Sequence, residues 1–327
     1  MRRGEPQGSI LIIALWSIMI LGIFAVSLGA GVRQRLVLAD RLETAHKLAA
    51  ISSAGIEAAR SVVRRPDETE NTDSLNEEWA LAETLADKQI EGGSFTAVIQ
   101  DEERKINLNR AEPLVLAHIL QKVGNMDQDK ALETAFCITD WRDPDFGFQN
   151  PDYGAEDDYY DDLELPYESK DAPFEAADEL LLVKGVKREV FDKIRPFITV
   201  DGTGVVNVNT APEEVLEAIG LPEGLSQKIL AFRAGQDKTP GTPDDQIIVN
   251  LDGLAESLLK AGFTVDAGEQ AVFKDIAGKE LIGIKSSIFL VRSRGKLKST
   301  GAAREAEAVI DRKGRIYFYR MHEVIRR

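Results

Sequence analysis

Twelve carboxylic acids are concentrated in one stretch of the chain, residues 137–171, which we call the acidic loop. Only two basic residues lie among them, so the stretch carries a net charge of −10 within 35 residues. Seven aromatic residues are interspersed with the acids, and this density favours an ordered loop over a solvated acidic face. Carboxylates held close together in an ordered loop repel each other unless a cation lies between them. The acidic loop therefore predicts a cation site.

Calcium is the metal that this loop fits best, because Ca²⁺ takes about six to eight oxygen ligands whereas zinc and copper prefer nitrogen or sulfur. Three of the acids, at positions 140, 143 and 145, lie close enough in sequence to share a site, and a turn that begins at Gly154 would bring further acids. The spacing differs from that of an EF-hand loop. The predicted ligands are Asp140, Asp143, Asp145, Glu156 and Asp157. A solvated acidic face and acid/base catalysis are the alternatives.

Catalysis is the less favoured alternative, because no nucleophile or histidine accompanies these acids. The chain has one cysteine and three scattered histidines, which excludes an intrachain disulfide and multi-cysteine zinc or iron–sulfur sites. We therefore predict no catalytic residue and no enzyme activity. The 55 acidic and 40 basic residues give a net charge of −15, which disfavours a general binder of nucleic-acid phosphates.

The elements that position this loop begin with a strongly apolar N-terminal run. Sixteen of the 19 residues from Ile10 to Leu28 are aliphatic, aromatic, Met or Ala, and no charged residue occurs from Pro6 to Val32. A helix of this length crosses a hydrocarbon layer of about 30 Å. A cleavable secretory signal is the alternative, but its apolar region usually spans only about 7–15 residues. We predict one transmembrane helix.

The helical pattern continues well beyond the apolar run. No proline lies between Pro6 and Pro66, and after Arg33 apolar residues recur among charged ones at roughly helical spacing. We predict one continuous helix of 56 residues, from Ser9 to Arg64, about 84 Å long. Its first half lies in lipid, and its amphipathic second half packs against a folded domain.

Two motifs in the middle of the chain predict local structure and carry no catalytic chemistry. Residues 106–116 and 206–216 align without gaps, with five of eleven positions identical, and we interpret both as strand-to-helix junctions. Residues 179–195 and 215–233 have the helix-hairpin-helix pattern. In the hairpins, Lys187 and Pro222 stand where the DNA-binding form has its second glycine, and proline has no N–H to offer a phosphate. We interpret these hairpins as packing elements.

Alternating apolar and polar residues predict strands on both sides of this helical region. The predicted strands are residues 94–100, 287–295, 306–312 and 315–321. Residues 79–86 have the composition of a helix. The predicted fold class is α+β, in which a long N-terminal helix packs on an antiparallel sheet that is interrupted by a large helical insertion.

A short hydrophilic leader that ends in Gly8, followed by the apolar helix, resembles the type IV pilin and pseudopilin class. The resemblance implies that prepilin peptidase cleaves between Gly8 and Ser9. Most members carry a glutamate at the fifth mature position, where this chain has Ile13. An ionised side chain in lipid is costly and is kept only for a function. A subunit without that charge need not follow another subunit, which suits the first subunit of an assembly.

Motifs in the rest of the chain resemble protein K of the type II secretion systems, the family of the largest minor pseudopilins. These motifs are Asp140-Trp-Arg-Asp143, Gly154-Ala-Glu-Asp157, Tyr159-Tyr160, Leu165-Pro-Tyr167, Leu182-Val-Lys-Gly-Val186 and Val206-Asn-Val-Asn-Thr-Ala-Pro212. One departure is Asp171, where the family pattern has Asn before Pro173-Phe174. The resemblance implies a pilin-like periplasmic domain that holds calcium, has a helix-hairpin-helix (SAM-like) insertion and is anchored once in the inner membrane.

The resemblance divides the chain into five parts. They are the prepilin leader (1–8), the transmembrane part of the helix (9–32), the amphipathic helix with the first strands (33–109), the helical insertion (110–265) and the closing strands (266–327). The implied partners are minor pseudopilins I, J and H, prepilin peptidase and inner-membrane lipid, but no nucleic acid. The implied function is to cap the pseudopilus tip and initiate its assembly. The alternative is a membrane-anchored DNA-uptake protein that uses the helix-hairpin-helix motifs.

Overall fold

The computed structural model describes residues 7–64, 72–144, 147, 149–150 and 152–323. The helices are α1 (Gln7–Val63), α2 (Pro113–Lys122), α3 (Gln128–Arg142), α4 (Asp157–Asp161), α5 (Arg188–Ile194), α6 (Glu213–Ala218), α7 (Glu223–Arg233), α8 (Leu254–Lys260) and α9 (Ala267–Gly278). The strands are β1 (Lys88–Ile90), β2 (Gly93–Asp101), β3 (Ile106–Asn107), β4 (Ile198–Thr199), β5 (Val206–Asn207), β6 (Ile282–Gly283), β7 (Ile288–Leu297), β8 (Ala303–Asp311) and β9 (Ile316–Met321). Short 3-10 helices span Ala177–Leu182 and Arg195–Phe197.

Helix α1 is continuous over 57 residues, or about 85 Å, as the sequence predicts. Its apolar N-terminal part is long and apolar enough to cross a membrane, and none of its most apolar 18 residues is buried inside the protein. Side chains are exposed as far as Glu43, and burial begins at Leu48. The helix therefore has a free half and a half that packs on the folded domain.

The buried half of α1 lies on one five-stranded antiparallel sheet, in the order β1-β2-β7-β8-β9. Leu48, Ile56 and Val63 of the helix share a core with inward-facing residues of β2, β7 and β8. Gly295 allows the close approach of helix and sheet, because a Cβ at this position would lie 2.7 Å from the backbone nitrogen of Ser52. The predicted packing of the helix on the sheet is confirmed.

Residues 79–86 do not form the predicted helix but a series of turns. Trp79 is buried and meets the edge of the Phe289 ring, with 5.0 Å between the ring centroids. The carbonyl of Leu85 accepts a hydrogen bond from the backbone N–H of Ala97 in β2. These contacts with the sheet at both ends of the segment fix its backbone in turns. Tertiary packing thus outweighs the helical propensity of the segment.

The insertion between β2 and β7 has its own hydrophobic core, built from α2 to α9 and two short parallel strand pairs, β3-β4 and β5-β6. Its helical part includes α9, which ends at Gly278, beyond residue 265. The side chains of Phe273 and Ile276 on α9 belong to this core. The insertion and the sheet thus have separate hydrophobic cores. The chain passes between them after the end of β2 and before the start of β7.

The two aligned stretches of sequence form the same local structure twice. Each second asparagine, Asn109 or Asn209, exchanges hydrogen bonds with the backbone of a distant residue, Phe174 or Ile248. In the first unit, the Arg142 guanidinium donates to the carbonyls of Leu108 and Ala111. In the second unit, the guanidinium of Arg233 donates to the equivalent carbonyls of Val208 and Ala211. The repeat is therefore structural, and it extends beyond the aligned residues.

Candidate functional site

The acidic loop is organised around Asp140, which lies in the last turn of α3 and is completely buried. One of its carboxylate oxygens accepts a hydrogen bond from the backbone N–H of Gln149, and the other accepts one from Ala155, both at 3.2 Å. The Gln149 side chain also donates to Asp143 over 2.6 Å. Asp140 thus holds two separate parts of the loop against the end of α3.

The structure brings together some of the predicted calcium ligands. Glu156 follows Ala155 directly and is buried, so it lies beside the segment that Asp140 holds. Asp157 is directed elsewhere, because its carboxylate accepts hydrogen bonds of 2.8 Å from both the backbone N–H and the hydroxyl of Ser169. Asp145 lies outside the described residues.

These all-oxygen donors match the chemistry that calcium prefers. Among the residues that the structure describes, however, no group of three or more His, Cys, Asp or Glu side chains is arranged to hold a metal ion. Asp140, Asp143 and Glu156 therefore do not complete a calcium site by themselves, and calcium binding stays a prediction.

Aromatic side chains of the acidic loop pack together in a buried cluster. The ring of Tyr160 is fully buried between Trp141 and Tyr167, with centroid distances of 5.2 and 5.3 Å. Lys184 contacts the edge of this cluster: its ammonium lies 4.9 Å from the centroid of the Tyr159 ring and 3.0 Å from the carboxylate of Glu133. Burial raises the pKa of the nearby Cys137 thiol to about 12. The loop is thus an ordered structure, and its cysteine is an inert packing residue.

The predicted peptidase junction lies at the start of α1, where Gly8 and Ser9 both have helical backbone. Ile13, at the position of the usual glutamate, is 64% exposed on the free half of the helix. Cleavage after Gly8 stays a prediction.

Both helix-hairpin-helix turns pack inward. Gly185 has a positive φ of +89°, and a Cβ at this position would lie 2.3 Å from the hydroxyl of Thr134 on α3. Gly220, with φ of +103°, faces Ile276 on α9. The apolar residues after the two glycines, Val186 and Leu221, are buried. This geometry agrees with a packing function for both hairpins.

Sequence reasoning missed a second acidic cluster, Asp101, Glu102 and Glu103, which we call the acid triplet. It begins at the last residue of β2 and continues into what the sequence indicates as an ordinary turn. All three side chains are almost completely buried, at 1%, 4% and 4% exposure. A buried carboxylate requires hydrogen-bond donors or a cation, because desolvation of an uncompensated charge is costly. The acid triplet finds most of its donors in distant parts of the chain.

Asp101 joins the sheet to the second repeat unit. Its carboxylate accepts hydrogen bonds from the hydroxyls of Thr210 and Ser286 and from the backbone N–H of Glu103. The Ser286 hydroxyl in turn accepts a hydrogen bond of 2.7 Å from the amide of Asn207. Burial raises the pKa of the Asp101 carboxyl to about 6, although these hydrogen bonds act in the opposite direction.

Glu102 and Glu103 hold the two ends of the insertion and the segment between its two repeat units. Glu102 pairs with Lys105 over 2.5 Å and accepts a 2.6 Å hydrogen bond from the hydroxyl of Thr199 at the end of β4. Glu103 accepts hydrogen bonds from both the backbone and the hydroxyl of Thr203, and from the same two groups of Ser287. The acid triplet is therefore the junction that fixes the insertion on the sheet.

This junction lies near the C-terminal end of α1. Arg312, in the β8–β9 turn, donates to the carbonyl of Val63 over 3.0 Å and to that of Ser286 over 3.4 Å. It also pairs with Asp73, whose carboxylate accepts from the backbone N–H of Ser286. Because the apolar run lies at the other end of the same continuous helix, the insertion is attached next to the end of α1 that is far from the apolar run.

The sequence comparison locates a known domain within this fold. Residues 96–202 match the family model of the type II secretion system (T2SS) protein K. The chain carries a protein K domain. That domain begins in β2 and ends just after β4, so it contains the acid triplet, the acidic loop and the first repeat unit. The resemblance to protein K seen in the sequence motifs is confirmed.

The structure comparison extends the resemblance to almost the whole fold. The chain is similar to a chain in the crystal structure of the GspK–GspI–GspJ complex from the enterotoxigenic Escherichia coli type 2 secretion system. The two share 16% sequence identity and a TM-score of 0.65, over 89% of this chain and 99% of the other. No curated protein sequence matches the chain. The predicted α+β fold of long helix, antiparallel sheet and helical insertion is confirmed.

Proposed function

We propose that this protein is a minor pseudopilin of a type II secretion system that caps the pseudopilus tip and initiates its assembly. The observation that carries the proposal is the protein K domain within a chain that has the fold found in the GspK–GspI–GspJ complex. The partners proposed from that complex are the minor pseudopilins I and J of the same system, with H as a further one. Inner-membrane lipid would surround the apolar part of α1.

The position of the insertion supports a role at the tip. In a fibre of pilin-like subunits the long helices run along the fibre axis. The next subunit in the fibre would therefore stand beyond the C-terminal end of the long helix. Here the insertion is fixed to the sheet by the acid triplet, next to the C-terminal end of α1. An insertion of this size at that end would block the addition of another subunit above it.

The free half of α1 supplies the surface for partner helices. Leu36, Leu38 and Leu42 follow the apolar run and are 65%, 57% and 52% exposed, with no packing partner among the described residues. Burial of a leucine side chain contributes about 1.5–3 kcal/mol, which favours a helical bundle with other pseudopilins. Without a glutamate at Ile13, the chain has no charge in lipid that must meet a preceding subunit.

Co-purification tests the assembly. The full-length protein in detergent, co-expressed with pseudopilins I and J of its own system, should elute as one complex in size-exclusion chromatography. Leu36→Glu together with Leu42→Glu should abolish the complex, whereas Arg35→Glu with Arg41→Glu, which changes charge without removing apolar surface, should reduce it less. Failure of the unmodified chain to co-elute with either protein would contradict the proposal.

A gel-shift measurement tests the DNA-uptake alternative. Salt-sensitive binding of duplex DNA would favour that alternative over the pseudopilin function. We expect no shift, because the hairpin glycines pack inward and the chain carries a net charge of −15.

We further propose that the acidic loop binds Ca²⁺ as a structural ion. Support comes from the burial of Asp140 and Glu156 and from the backbone N–H of Ala155, the residue before Glu156, which donates to the Asp140 carboxylate. When bound, the ion would neutralise these carboxylates and fix the loop. Titration calorimetry of the full-length protein in detergent should detect binding, and Ca²⁺ should raise the melting temperature. Asp140→Asn should abolish both effects and Asp158→Asn neither. No heat of binding and no shift would contradict this proposal.

A further inference from the structure

The last strand of the sheet, β9, leaves one edge open. It pairs with β8 on one side, and no strand among the described residues pairs with its other side. Backbone N–H and C=O groups along an open edge are available to another strand, and proteins usually protect such edges by shortening or covering them. The opposite edge, β1, follows this rule, since it is only three residues long. β9 has six residues.

The side chains of β9 are unusually apolar for their exposure. Ile316, Tyr317, Phe318 and Tyr319 are 37%, 57%, 39% and 44% exposed. Large aromatic residues on consecutive positions present apolar surface on both faces of the edge, whereas a strand with one solvated face normally alternates with polar residues. Such a surface is typical of an interface.

The charge around this edge is opposite to that of the rest of the chain. Residues 312–323, which include β9 and the turn before it, carry a net charge of +3, whereas the rest of the chain carries −18. Lys313, Arg315 and Arg320 are exposed, and the structure joins none of them to an acid among the described residues. The neighbouring acids are engaged: Glu307 pairs with Arg292 over 2.9 Å, and Asp311 accepts from the backbone of the β8–β9 turn.

This charge selects among the possible occupants of the edge. Two copies of β9 would bring their basic residues face to face, and like charges on adjacent strands are destabilising. An acidic strand would instead place its carboxylates opposite Arg315 and Arg320. The basic residues therefore disfavour pairing between two copies of this chain and favour a partner of the opposite charge.

We propose that the open edge of β9 binds an extended acidic segment of a partner protein, which adds to the sheet as a sixth strand. Backbone hydrogen bonds would provide the register, the aromatic residues would provide apolar contact, and the arginines would select for acidic side chains. This inference rests on β9 and its charges and is independent of the pseudopilin function.

The test titrates synthetic eight-residue peptides into the full-length protein in detergent. In these peptides pairs of glutamates alternate with pairs of valines, so that both faces of the added strand carry acids, because residues five positions apart on a strand, such as 315 and 320, lie on opposite faces. Binding is followed by fluorescence anisotropy, and the site by hydrogen exchange. We expect the glutamate peptide to bind at least ten-fold more tightly than its lysine counterpart, to weaken with salt, and to protect the amides of residues 316–321. A glutamate peptide that is N-methylated at alternate residues keeps its charge but lacks half of its backbone donors, and it should lose binding.

Two variants of the protein complete the test. Arg315→Glu with Arg320→Glu should reverse the preference from the glutamate to the lysine peptide, which shows that the site is still folded. Lys88→Glu, on the opposite edge, is the matched control and should leave binding unchanged. Three results would each overturn the proposal: no binding at millimolar peptide, equal binding of the N-methylated peptide, or protection confined to residues outside β9.

Discussion

The acidic loop and the acid triplet use carboxylates in opposite ways. The loop has twelve acids in 35 residues, and several of them, such as Asp158 and Asp161, are exposed to solvent. The triplet has only three acids, and all of them are buried. Its donors include Thr199, Thr210 and Ser286, which lie about a hundred residues or more away in the sequence. The acidic loop is thus distinguished by its density of acids in the sequence. The acid triplet is distinguished by burial and by hydrogen-bond donors from distant residues, and it joins the insertion to the sheet.

This difference has an energetic meaning. An exposed carboxylate keeps its hydration, so its removal changes little. A buried carboxylate has exchanged water for fixed donors, and its removal leaves those donors buried without an acceptor. The variants below compare the two clusters on this basis, from the largest expected effect to the smallest.

Glu103→Ala tests the acid triplet and should give the largest effect. It removes the acceptor of four hydrogen bonds from Thr203 and Ser287, two of which come from backbone N–H groups. We expect the free energy of unfolding to fall by about 4 kcal/mol, as measured by chemical denaturation. Glu305→Ala, at a half-exposed position on β8 where the carboxylate lies 3.9 Å from Arg294, is the control and should cost less than about 1 kcal/mol. A loss at Glu103 no larger than the control would show that the triplet is not the junction.

The raised pKa of Asp101 predicts a pH dependence. Its folded-state pKa of about 6 lies above the value of 3.8 for an ordinary Asp, so the folded protein binds more protons than the unfolded chain between these values. The free energy of unfolding should therefore decrease as pH rises from about 4 to 6, by roughly 3 kcal/mol from this group, and the contribution should be level above pH 6.

The measurement is a series of denaturation curves for the unmodified protein and for Asp101→Asn. Other acids contribute equally to both, so the difference between the two series isolates the carboxyl of interest. The variant should gain in relative stability as pH rises from 4 to 6. A constant difference across this range would contradict the pKa shift.

Asp140→Ala tests the one acid of the loop that resembles the triplet. It leaves the backbone N–H groups of Gln149 and Ala155 without their acceptor, and we expect a loss of about 2 kcal/mol measured without calcium. Limited proteolysis should show faster cleavage within residues 143–155. Unchanged stability and cleavage would mean that the loop is held by its aromatic cluster alone.

Asp158→Asn with Asp161→Asn tests the exposed face of the loop and should give the smallest effect. Neither side chain is buried, and both belong to the most acidic stretch of the chain. We expect a change within about 0.5 kcal/mol, in the stabilising direction because repulsion is relieved. The effect should vanish at high salt. A loss comparable to that of Asp140→Ala would place these acids in the structural group.

The elements that follow a simple period were predictable from the sequence. Helix α1 shows a long apolar run and then helical spacing, β2, β7 and β8 show alternation, and β9 is rich in aromatic residues, so each is predicted within a few residues. Residues 79–86 were assigned wrongly as a helix, because contacts with Phe289 and Ala97 decide their conformation. Local composition holds no information about such contacts.

The same limit applies to the sites. Asp140 was found because its acidic and aromatic neighbours lie near it in the sequence. The acid triplet was missed because three consecutive acids resemble a solvent-exposed turn, and their partners, such as Thr210 and Ser286, are far along the chain. A run of acids directly after a buried strand, in a chain that must return to the same sheet, is the signal that would have pointed to it.

The two repeat units of the insertion hold two different loops in the same way. In each unit the chain leaves the helix that carries Arg142 or Arg233, makes an excursion, and returns at the residue held by Asn109 or Asn209. The first excursion is the acidic loop, and the second is the shorter loop before Ile248. The repeated unit thus gives the insertion two equivalent frames, each of which holds a loop whose length and chemistry can differ while the hydrogen bonds of the frame stay the same.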